Sequence, residues 1–348
     1  MKKILVGLAV LCLAAACTQP EPPAGEGGTV RQDARTRTQK DRLTIAVIPK
    51  GLVHQFWLTV HSGAEEAGRD LGAAILWRGP EAETEVMKQI DIIDDMITRG
   101  VDGIVLAACD TNALIDPVKR AVDAGIPVVT IDSGVESDLP VSFVATDNLK
   151  GAQMAADKLA ELIGGKGVVG QIPFVPGAAT SQLREKGFLD GMAKHPEITV
   201  LPPQYSMSDV AKGMSVTQDL MTAHPEMVGI FGANESSAMG AVQAIEAAGK
   251  KGQIKLVAFD AAQEELDALE RGTIQALIVQ NPFQMGYQGV KAVIDKIKGK
   301  DVPKQIDTGV TVITAENLES PEVRKLLNPM APPAETPAAA PAEPAQTQ

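Results

Sequence analysis

Residues 114–132, LIDPVKRAVDAGIPVVTID, contain one complete unit of the alternation that decides the fold. Apolar residues from Leu114 to Val122 recur at helical spacing, and Gly125 ends the predicted helix. The apolar run PVVTID follows at once and stops on Asp132. Because short β runs that alternate with amphipathic helices form parallel sheets with right-handed crossovers, this unit predicts an α/β fold.

Polar side chains also end three later apolar runs. These are GIFGAN, which ends at Asn234, KLVAFD, which ends at Asp260, and ALIVQN, which ends at Asn281 directly after Gln280. The carboxyl ends of parallel strands face the crevice where ligands sit. A turn residue after a single strand is common, but several such ends together predict a site for a polar ligand.

The same alternation fills most of the chain. Ahead of Asp132 lie the predicted strands LTIAVI, AAILW and GIVLAA, and after Asp147 the pattern restarts with GVVGQI, ITVLPP, VGIFGAN, IKLVAFD and QALIVQ. A chain of 348 residues exceeds the size at which one hydrophobic core stops growing. We therefore predict two doubly wound, Rossmann-like parallel-sheet lobes with a cleft between them.

The composition argues against several classes of function. The net charge is −12, whereas binding to nucleic acid needs clustered Lys and Arg. The sequence contains no GxSxG, HExxH or CxxC motif. Asp132 and Asp260 could mimic the carboxylate pair of a glycosidase, which leaves an enzyme as one alternative at this point.

The N-terminus has the features of an export signal. Two lysines precede an apolar stretch from Ile4 to Ala16, and small residues lead directly to Cys17. This order resembles a bacterial lipoprotein signal, in which the cysteine is lipidated, although ordinary signal cleavage is the alternative. Cys12 would leave with the signal and Cys17 would carry lipid, so that Cys109 alone remains and no disulfide can form.

Two segments lack apolar periodicity. Residues 18–42 are rich in Pro, Gly, Gln, Arg and Thr, which is typical of a flexible tether behind a signal peptide at residues 1–17. Residues 329–348 contain almost only Ala, Pro, Glu, Thr and Gln. Their composition predicts a disordered tail, with a rigid spacer as the alternative.

Eight blocks of this sequence resemble one family in their order and spacing, over about residues 43–315. The blocks are VHQFWLTVHSGAEEAG, GIPVVTIDS, FVATDN, LREKGF, AKGMSVTQDLMTAHP, GIFGANESSAMGA, VAFDAAQEELDAL and ALIVQNPFQMGYQGV. They resemble the type I periplasmic binding proteins of sugar ABC transporters, in the ribose-binding-like group. The resemblance implies one lobe of residues 43–146 and 281–307, a second of residues 147–280 and 308–328, and a hinge of three crossovers.

The resemblance also implies ligand-binding residues. Phe56 and Trp57 match an aromatic pair that packs on a sugar ring, although Trp57 is alternatively a core residue. Asp132 matches the family's ligand carboxylate, for which a turn or cap is the alternative, and Arg184 in LREKGF matches its sugar-binding arginine. The remaining amide and carboxylate partners match Asn234, Asp260 and Gln280.

This chain departs from the ribose binders at several positions. Ser133 stands where the family has an arginine and His54 where it has an asparagine, and we keep both as ligand-binding candidates. Trp77, which has no counterpart there, either lines the cleft or covers the lobe surface. Alanines follow the third strand in place of an asparagine, at Ala107 and Ala108, and the family's second-lobe aromatic falls near Met207 or Ser208.

The resemblance therefore implies an exported binding protein without cofactor, and not an enzyme. We expect a monomer, lipid-anchored in the periplasm or on the outer face of the cell membrane, that captures a neutral monosaccharide or polyol and delivers it to an ABC transporter permease. The alternative is a receptor that presents its closed form to a signalling partner. The charge and the export signal argue against the DNA-binding repressors related to this family.

Overall fold

The computed structural model describes residues 42–330. Strands and helices alternate almost strictly in the first half of these residues. Its elements are β1 (Leu43–Ile48), α1 (Gln55–Leu71), β2 (Ala73–Trp77), α2 (Val86–Arg99), β3 (Gly103–Leu106), α3 (Ile115–Asp123), β4 (Val128–Ile131), β5 (Phe143–Ala145) and α4 (Asn148–Leu162).

The second half continues the alternation until two short strands close it. Its elements are β6 (Gly167–Ile172), α5 (Ala179–Met192), β7 (Ile198–Val200), α6 (Val210–Ala223), β8 (Met227–Gly232), α7 (Glu235–Ala247), β9 (Lys255–Phe259), α8 (Gln263–Glu270), β10 (Ala276–Val279), α9 (Pro282–Ile297), β11 (Gln305–Asp307), β12 (Thr311–Ile313) and α10 (Pro321–Leu327).

The strands form two six-stranded sheets within the described residues. The first has the order β11-β5-β4-β3-β1-β2, and the second has the order β12-β10-β9-β8-β6-β7. All neighbouring strands run parallel except β10 and β12, which are antiparallel at the edge of the second sheet. This architecture confirms the predicted fold class of two doubly wound α/β lobes, here called the first lobe and the second lobe.

Helices cover both faces of each sheet, so that each lobe has a core on either side. In the first lobe α1 and α9 pack on one face, while α2 and α3 pack on the other. In the second lobe α4 and α5 cover one face, and α6, α7 and α8 cover the other. Because the strands are buried on both faces, they read as continuous apolar runs in the sequence.

The chain passes between the sheets three times, after β5, after β10 and after β11. We propose that the lobes comprise residues 43–146 with 281–307, and residues 147–280 with 308–328. The predicted signal peptide, its Cys17 and nearly all of the linker and tail lie outside the described residues. Among the helices that are described, none combines the length and the apolar character needed to cross a bilayer.

Two glycines fix the position of α1, which carries part of the site. A Cβ added at Gly63 of α1 would lie 2.0 Å from the carbonyl oxygen of Phe283, and one added at Gly286 of α9 would lie 2.0 Å from that of Val60. Only glycine therefore allows the two helices to approach so closely. The contact ties α1 to α9, the helix that follows the second crossing.

The sequence analysis did not predict the short strands β5 and β11. Each has three residues, and they pair with one another at the edge of the first sheet. A run of three residues is too short to show a strand period. Their strand conformation depends on pairing across a long stretch of chain.

Candidate ligand-binding site

A cavity of about 290 Å³ lies between the two sheets and is lined by residues of both lobes. It contains eight of the ten ligand-binding candidates that the sequence predicted, namely His54, Phe56, Trp57, Asp132, Arg184, Asn234, Asp260 and Gln280. Four further lining residues were not predicted, namely Lys50, Glu83, Phe174 and Glu235.

Four of the predicted residues lie at the carboxyl ends of parallel strands. Asp132 follows β4, Asn234 follows β8, Asp260 follows β9 and Gln280 follows β10. The backbone of Asp132 (φ 55°) and that of Asp260 (φ 82°) lie in the left-handed region, a conformation that residues other than glycine rarely adopt. Such strain collects at ligand-binding positions, and both carboxylates line the cavity.

Aromatic rings line the cavity from both lobes. Phe56 and Trp57 lie in the first turn of α1 and meet edge to face, with ring centroids 4.9 Å apart. Trp57 is fully buried, and its Nε1 donates a 2.9 Å hydrogen bond to Glu83. Trp57 therefore belongs to the core as well as to the cavity wall, whereas Phe56 is half-buried. Phe174, in the loop after β6, supplies the aromatic ring of the second lobe.

Lys50 is the main cation of the first lobe, and sequence reasoning missed it. Its side chain is 3% exposed, and its Nζ lies 2.9 Å from Asp132 Oδ2 and 3.9 Å from a Glu83 oxygen. Burial lowers the pKa of Lys50, but the carboxylates of Asp132 and Glu83 outweigh it, and the pKa is raised. Lys50 therefore supplies a positive charge to a lobe in which Ser133 replaces the family's arginine.

Burial dominates the titration of Asp132. It raises the pKa of this carboxyl group against the opposing effects of Lys50 and Arg184. The pKa of Glu83 is shifted in the opposite direction. Burial raises its pKa, but Lys50 and His54 and the hydrogen bond from Trp57 lower it well below its usual range. Burial thus acts on both of these neighbouring carboxyl groups, and the nearby cations outweigh it at Glu83 and not at Asp132.

Arg184 reaches the cavity from α5, and it is 2% exposed. Its Nε donates to Asn148 Oδ1 at 2.8 Å, and its Nη1 donates to the carbonyl oxygen of Ala233 at 2.8 Å. Its guanidinium group lies 3.9 Å from the centroid of the Phe259 ring. Burial lowers its pKa, against the raising effect of Asp260 and Asp132. These contacts hold the side chain rigidly at the cavity wall.

One acceptor oxygen of the cavity wall, Gln280 Oε1, is buried and has no hydrogen-bond donor among the described residues. Asp132 Oδ2, which is also buried, has Lys50 Nζ at 2.9 Å as its ion-pair partner. Asp260 accepts from Gln280 Nε2 at 2.7 Å and from the backbone N of Glu235 at 3.0 Å. A buried acceptor without a donor is costly, so Gln280 Oε1 indicates a place for a ligand that donates a hydrogen bond.

Asn234 also caps its own lobe's helix. Its Oδ1 accepts from the backbone N of Ser237 at 3.0 Å, at the start of α7, and its Nδ2 donates to Ser208 at 3.1 Å. Within the described residues, no group of three or more His, Cys, Asp or Glu side chains is arranged to hold a metal ion.

The two lobes are in direct contact across the cavity. Lys50 Nζ of the first lobe donates to Thr180 Oγ1 of the second at 3.0 Å, and Ser208 Oγ of the second lobe donates to Glu83 of the first at 2.8 Å. Glu235 of the second lobe accepts two backbone hydrogen bonds from α1 of the first. The cleft is therefore closed in this structure.

Two candidate residues lie away from the cavity. Ser133 is fully buried, but its carbonyl oxygen accepts from Ala108 N and the residue does not line the cavity. The left-handed turn at Asp132 directs the chain back towards β3. Trp77 ends the edge strand β2 and stacks on His61 of α1, with ring centroids 4.5 Å apart. Trp77 therefore covers the lobe surface and does not line the cleft.

Comparisons with known proteins agree with this geometry. A family model described as a periplasmic binding protein domain matches residues 45–301. The D-ribose/D-allose-binding protein of Pseudomonas aeruginosa is 31% identical over 283 residues, which cover 78% of this chain and 88% of that protein. The ribose import binding protein of Bacillus subtilis is 30% identical over 275 residues, or 79% of this chain and 88% of that protein.

Solved structures are similar over nearly their whole length. An ABC transporter solute-binding protein from Agrobacterium vitis, bound with α-D-tagatopyranose, is 38% identical with a TM-score of 0.79, covering 82% of this chain and 99% of that one. A carbohydrate transporter solute-binding protein from Agrobacterium radiobacter, in complex with D-arabinose, is 35% identical with a TM-score of 0.81, covering 83% and 99%. The resemblance predicted from the sequence blocks is thereby confirmed.

Proposed function

This chain belongs to the type I periplasmic sugar-binding proteins of ABC transporters, and from that premise we propose that it captures a neutral monosaccharide or related polyol for import. The sugar would lie in the cavity between the lobes, and the closed form would deliver it to a permease. The prediction that the chain is not an enzyme is confirmed by its family, whose members bind sugars for transport.

The observation that carries the proposed ligand is the set of polar groups around the cavity, in which the buried Gln280 Oε1 has no donor among the described residues. A ligand that satisfies this oxygen must donate a hydrogen bond. Sugar hydroxyl groups donate and accept, while the CH face of a sugar ring packs on aromatic rings. Phe56 and Phe174 provide such rings from opposite lobes. A polyhydroxylated ring matches this combination of groups.

The charges in the cavity support a neutral ligand. Four carboxyl groups line it, from Glu83, Asp132, Glu235 and Asp260. They face the cations Lys50 and Arg184 and the imidazole of His54, whose pKa Glu83 raises against the effect of burial. An anionic ligand would meet this excess of negative charge in a buried place, where charges interact strongly.

Binding of both lobes to one ligand explains the role of closure. A ligand shifts the balance between open and closed forms by its difference in affinity for them. The proposed sugar would contact Asp132 and Phe56 from the first lobe and Arg184 and Asp260 from the second. A permease that recognises the closed form would thus receive only loaded protein.

The experiment is a thermal-shift screen of protein that lacks residues 1–17, against neutral monosaccharides, polyols, sugar acids, amino acids and nucleosides. A ligand at 100 times its Kd adds about 2.7 kcal/mol of stability. We expect a rise in Tm of roughly 5 °C or more with at least one neutral sugar or polyol. A shift with amino acids or nucleosides and none with sugars would overturn the proposed ligand class.

We also propose that Cys17 is lipidated and anchors the protein outside the cell membrane as a monomer. The support is the order of charged, apolar and small residues ahead of Cys17. Full-length protein is expected in the membrane fraction, and Cys17→Ser is expected to move it to the soluble fraction or to block processing. Membrane association that survives Cys17→Ser with normal processing would exclude this anchor.

A further inference from the structure

Helix α1 begins without a cap of its own. The first N–H groups of a helix have no partner inside it, and a side chain at the N-cap position usually accepts from one of them. Here the N-cap residue is His54, whose side chain makes no such bond, and the first turn contains no acidic residue. The N-terminus of α1 therefore depends on a partner from elsewhere.

Glu235 of the second lobe supplies that partner across the cleft. Its Oε1 accepts from the backbone N of Gln55 at 3.1 Å, and its Oε2 accepts from the backbone N of Phe56 at 3.2 Å. Both oxygens of one carboxylate are thus occupied by the first turn of α1. The negative charge also lies at the positive end of the helix dipole, where it is favourable.

The position of Glu235 connects this contact to the cavity on both sides. Its backbone N donates to Asp260 Oδ2 at 3.0 Å, and Asp260 is a proposed sugar ligand. On the other side its carboxylate holds the backbone of Phe56, the residue proposed to stack on the sugar. Glu235 therefore lies between a hydrogen-bonding group and a stacking group that belong to different lobes.

We propose that Glu235 is the latch of the closed form, a helix cap that one lobe provides for the other and that forms only on closure. In the open form water would solvate the carboxylate and the N–H groups of α1. Closure exchanges that water for two charge-assisted hydrogen bonds and fixes Phe56 against the ligand. This inference rests on the proposed function and names a positioning residue for it.

A latch that forms after the sugar has entered acts on release more than on capture. Most differences in affinity within one site are differences in koff. We expect Glu235→Ala to raise koff about tenfold to thirtyfold, in line with the loss of a helix cap, while kon changes less than about threefold. Glu235→Gln keeps one acceptor oxygen, and its koff is expected between those of the wild type and the alanine variant.

The matched control is Glu246→Gln on the same helix α7. Glu246 accepts from Thr273 Oγ1 at 2.6 Å and from Arg271 at 3.2 Å, both within the second lobe. This variant removes a paired carboxylate without touching the first lobe. Its kon and koff are expected to equal those of the wild type, even if its Tm falls.

A charge placed on α1 gives a second test. Gln55 is exposed at the first position of the helix, so Gln55→Glu should be tolerated by the first lobe, where an acidic first turn is favourable. In the closed form the new carboxylate would face that of Glu235. We expect Gln55→Glu to raise koff in the wild-type background and to have little effect in the Glu235→Gln background.

The measurements are stopped-flow binding of a sugar found in the thermal-shift screen and small-angle scattering with and without that sugar. The scattering should show a smaller sugar-dependent decrease in the radius of gyration for Glu235→Ala than for the wild type. An unchanged koff in Glu235→Ala, or a loss confined to kon, would overturn the latch. If the wild type binds no sugar at all, the proposed function fails instead.

Discussion

Replacement of Lys50 by methionine tests whether the buried charges of the first lobe depend on one another. Lys50 and Asp132 are 3% and 2% exposed, and their charged atoms lie 2.9 Å apart. Methionine keeps most of the volume of the lysine stem but removes the charge. Loss of one partner of a buried ion pair costs about 3 to 5 kcal/mol, because the other charge is left uncompensated.

The structure identifies the group that would be left uncompensated. Glu83 keeps its hydrogen bonds from Trp57 and Ser208 when Lys50 is removed. Asp132 Oδ2 has no partner besides Lys50 among the described residues, so that Asp132 would retain only the more distant Arg184 as a cation. We therefore expect Lys50→Met to lose about 3 to 5 kcal/mol of the free energy of unfolding at pH 7, most of it through Asp132.

The pH dependence of this loss has a definite sign. Burial already raises the pKa of Asp132, and removal of Lys50 would raise it further. Between the unfolded pKa of about 3.9 and the raised folded pKa, the folded state binds more protons than the unfolded state. Stability therefore falls as the pH rises through this window, by at most about 1.4 kcal/mol per pH unit. The loss of the free energy of unfolding in Lys50→Met, relative to the wild type, should therefore be smaller at pH 5 than at pH 7.

Urea unfolding followed by tryptophan fluorescence measures these quantities. Lys119→Met is the control, because Lys119 and Asp123 form an exposed i,i+4 pair that is worth about 0.5 kcal/mol or less. Asp132→Asn in the Lys50→Met background should recover part of the loss. A Lys50→Met protein within about 1 kcal/mol of the wild type at pH 7, or one whose deficit does not vary with pH, would refute this reasoning.

Four further predictions concern residues of the cavity and the buried Cys109. Asp260→Ala should lower sugar affinity more than about 100-fold, or roughly 3 kcal/mol, because Gln280 Nε2 and the backbone N of Glu235 lose their acceptor. A sugar Kd within tenfold of the wild-type value, measured by calorimetry, would place the ligand elsewhere. Asp260→Gly should unfold at a higher urea concentration than Asp260→Ala, because glycine adopts the φ of 82° without strain. This strain is worth about 1 kcal/mol. Equal unfolding midpoints of the two variants would show that this backbone is not strained. Phe56→Leu should raise the sugar Kd about fivefold to tenfold through lost ring packing, and an unchanged Kd would mean that Phe56 does not stack. Burial raises the pKa of the Cys109 thiol well above its usual range, so iodoacetamide at pH 8 should label it only in urea, and rapid labelling of folded protein would contradict its burial.

The polar strand ends show how much of the site a sequence can predict. Asp132, Asn234, Asp260 and Gln280 are far apart in the chain, yet they surround one cavity. The reason is topological, because parallel strands bring their carboxyl ends to one edge of each sheet. Convergence of these side chains therefore follows from the strand order, whereas their contact with a sugar is a prediction for the experiments above.

Lys50 could have been found by the same rule and was not. It follows β1 by two residues, in the sequence VIPKG, so it also stands at a strand end. Lysine is almost never buried unless it is paired, and the sequence does not show that Asp132 would be its partner. Glu83 gave no signal of any kind, because it lies in a loop and its burial depends on Trp57 and Ser208 from distant parts of the chain.

The two candidates outside the cavity lie there for local reasons. Ser133 occupies the family's arginine position, but the φ of 55° at Asp132 turns the chain before Ser133 is reached. Trp77 ends β2, which is the edge strand of its sheet. At this edge the side chain of Trp77 packs on the neighbouring helix α1, where it stacks on His61. The match to the family assigns a position in the sequence, whereas the local turn of the backbone decides whether the side chain at that position reaches the cleft.

Some polar groups of the cavity wall that cost stability are also groups that a sugar could satisfy. Asp132 combines a left-handed backbone with a pKa that burial raises, and Gln280 Oε1 has no donor among the described residues. An apolar pair in place of Lys50 and Asp132 would stabilise the first lobe but could not bind hydroxyl groups. We propose that a sugar hydroxyl relieves the cost at Gln280 Oε1 by donating to it, whereas the backbone strain at Asp132 stays. Sugar affinity and a less stable cavity wall would then have one cause, the polar groups that the closed lobes leave unsatisfied.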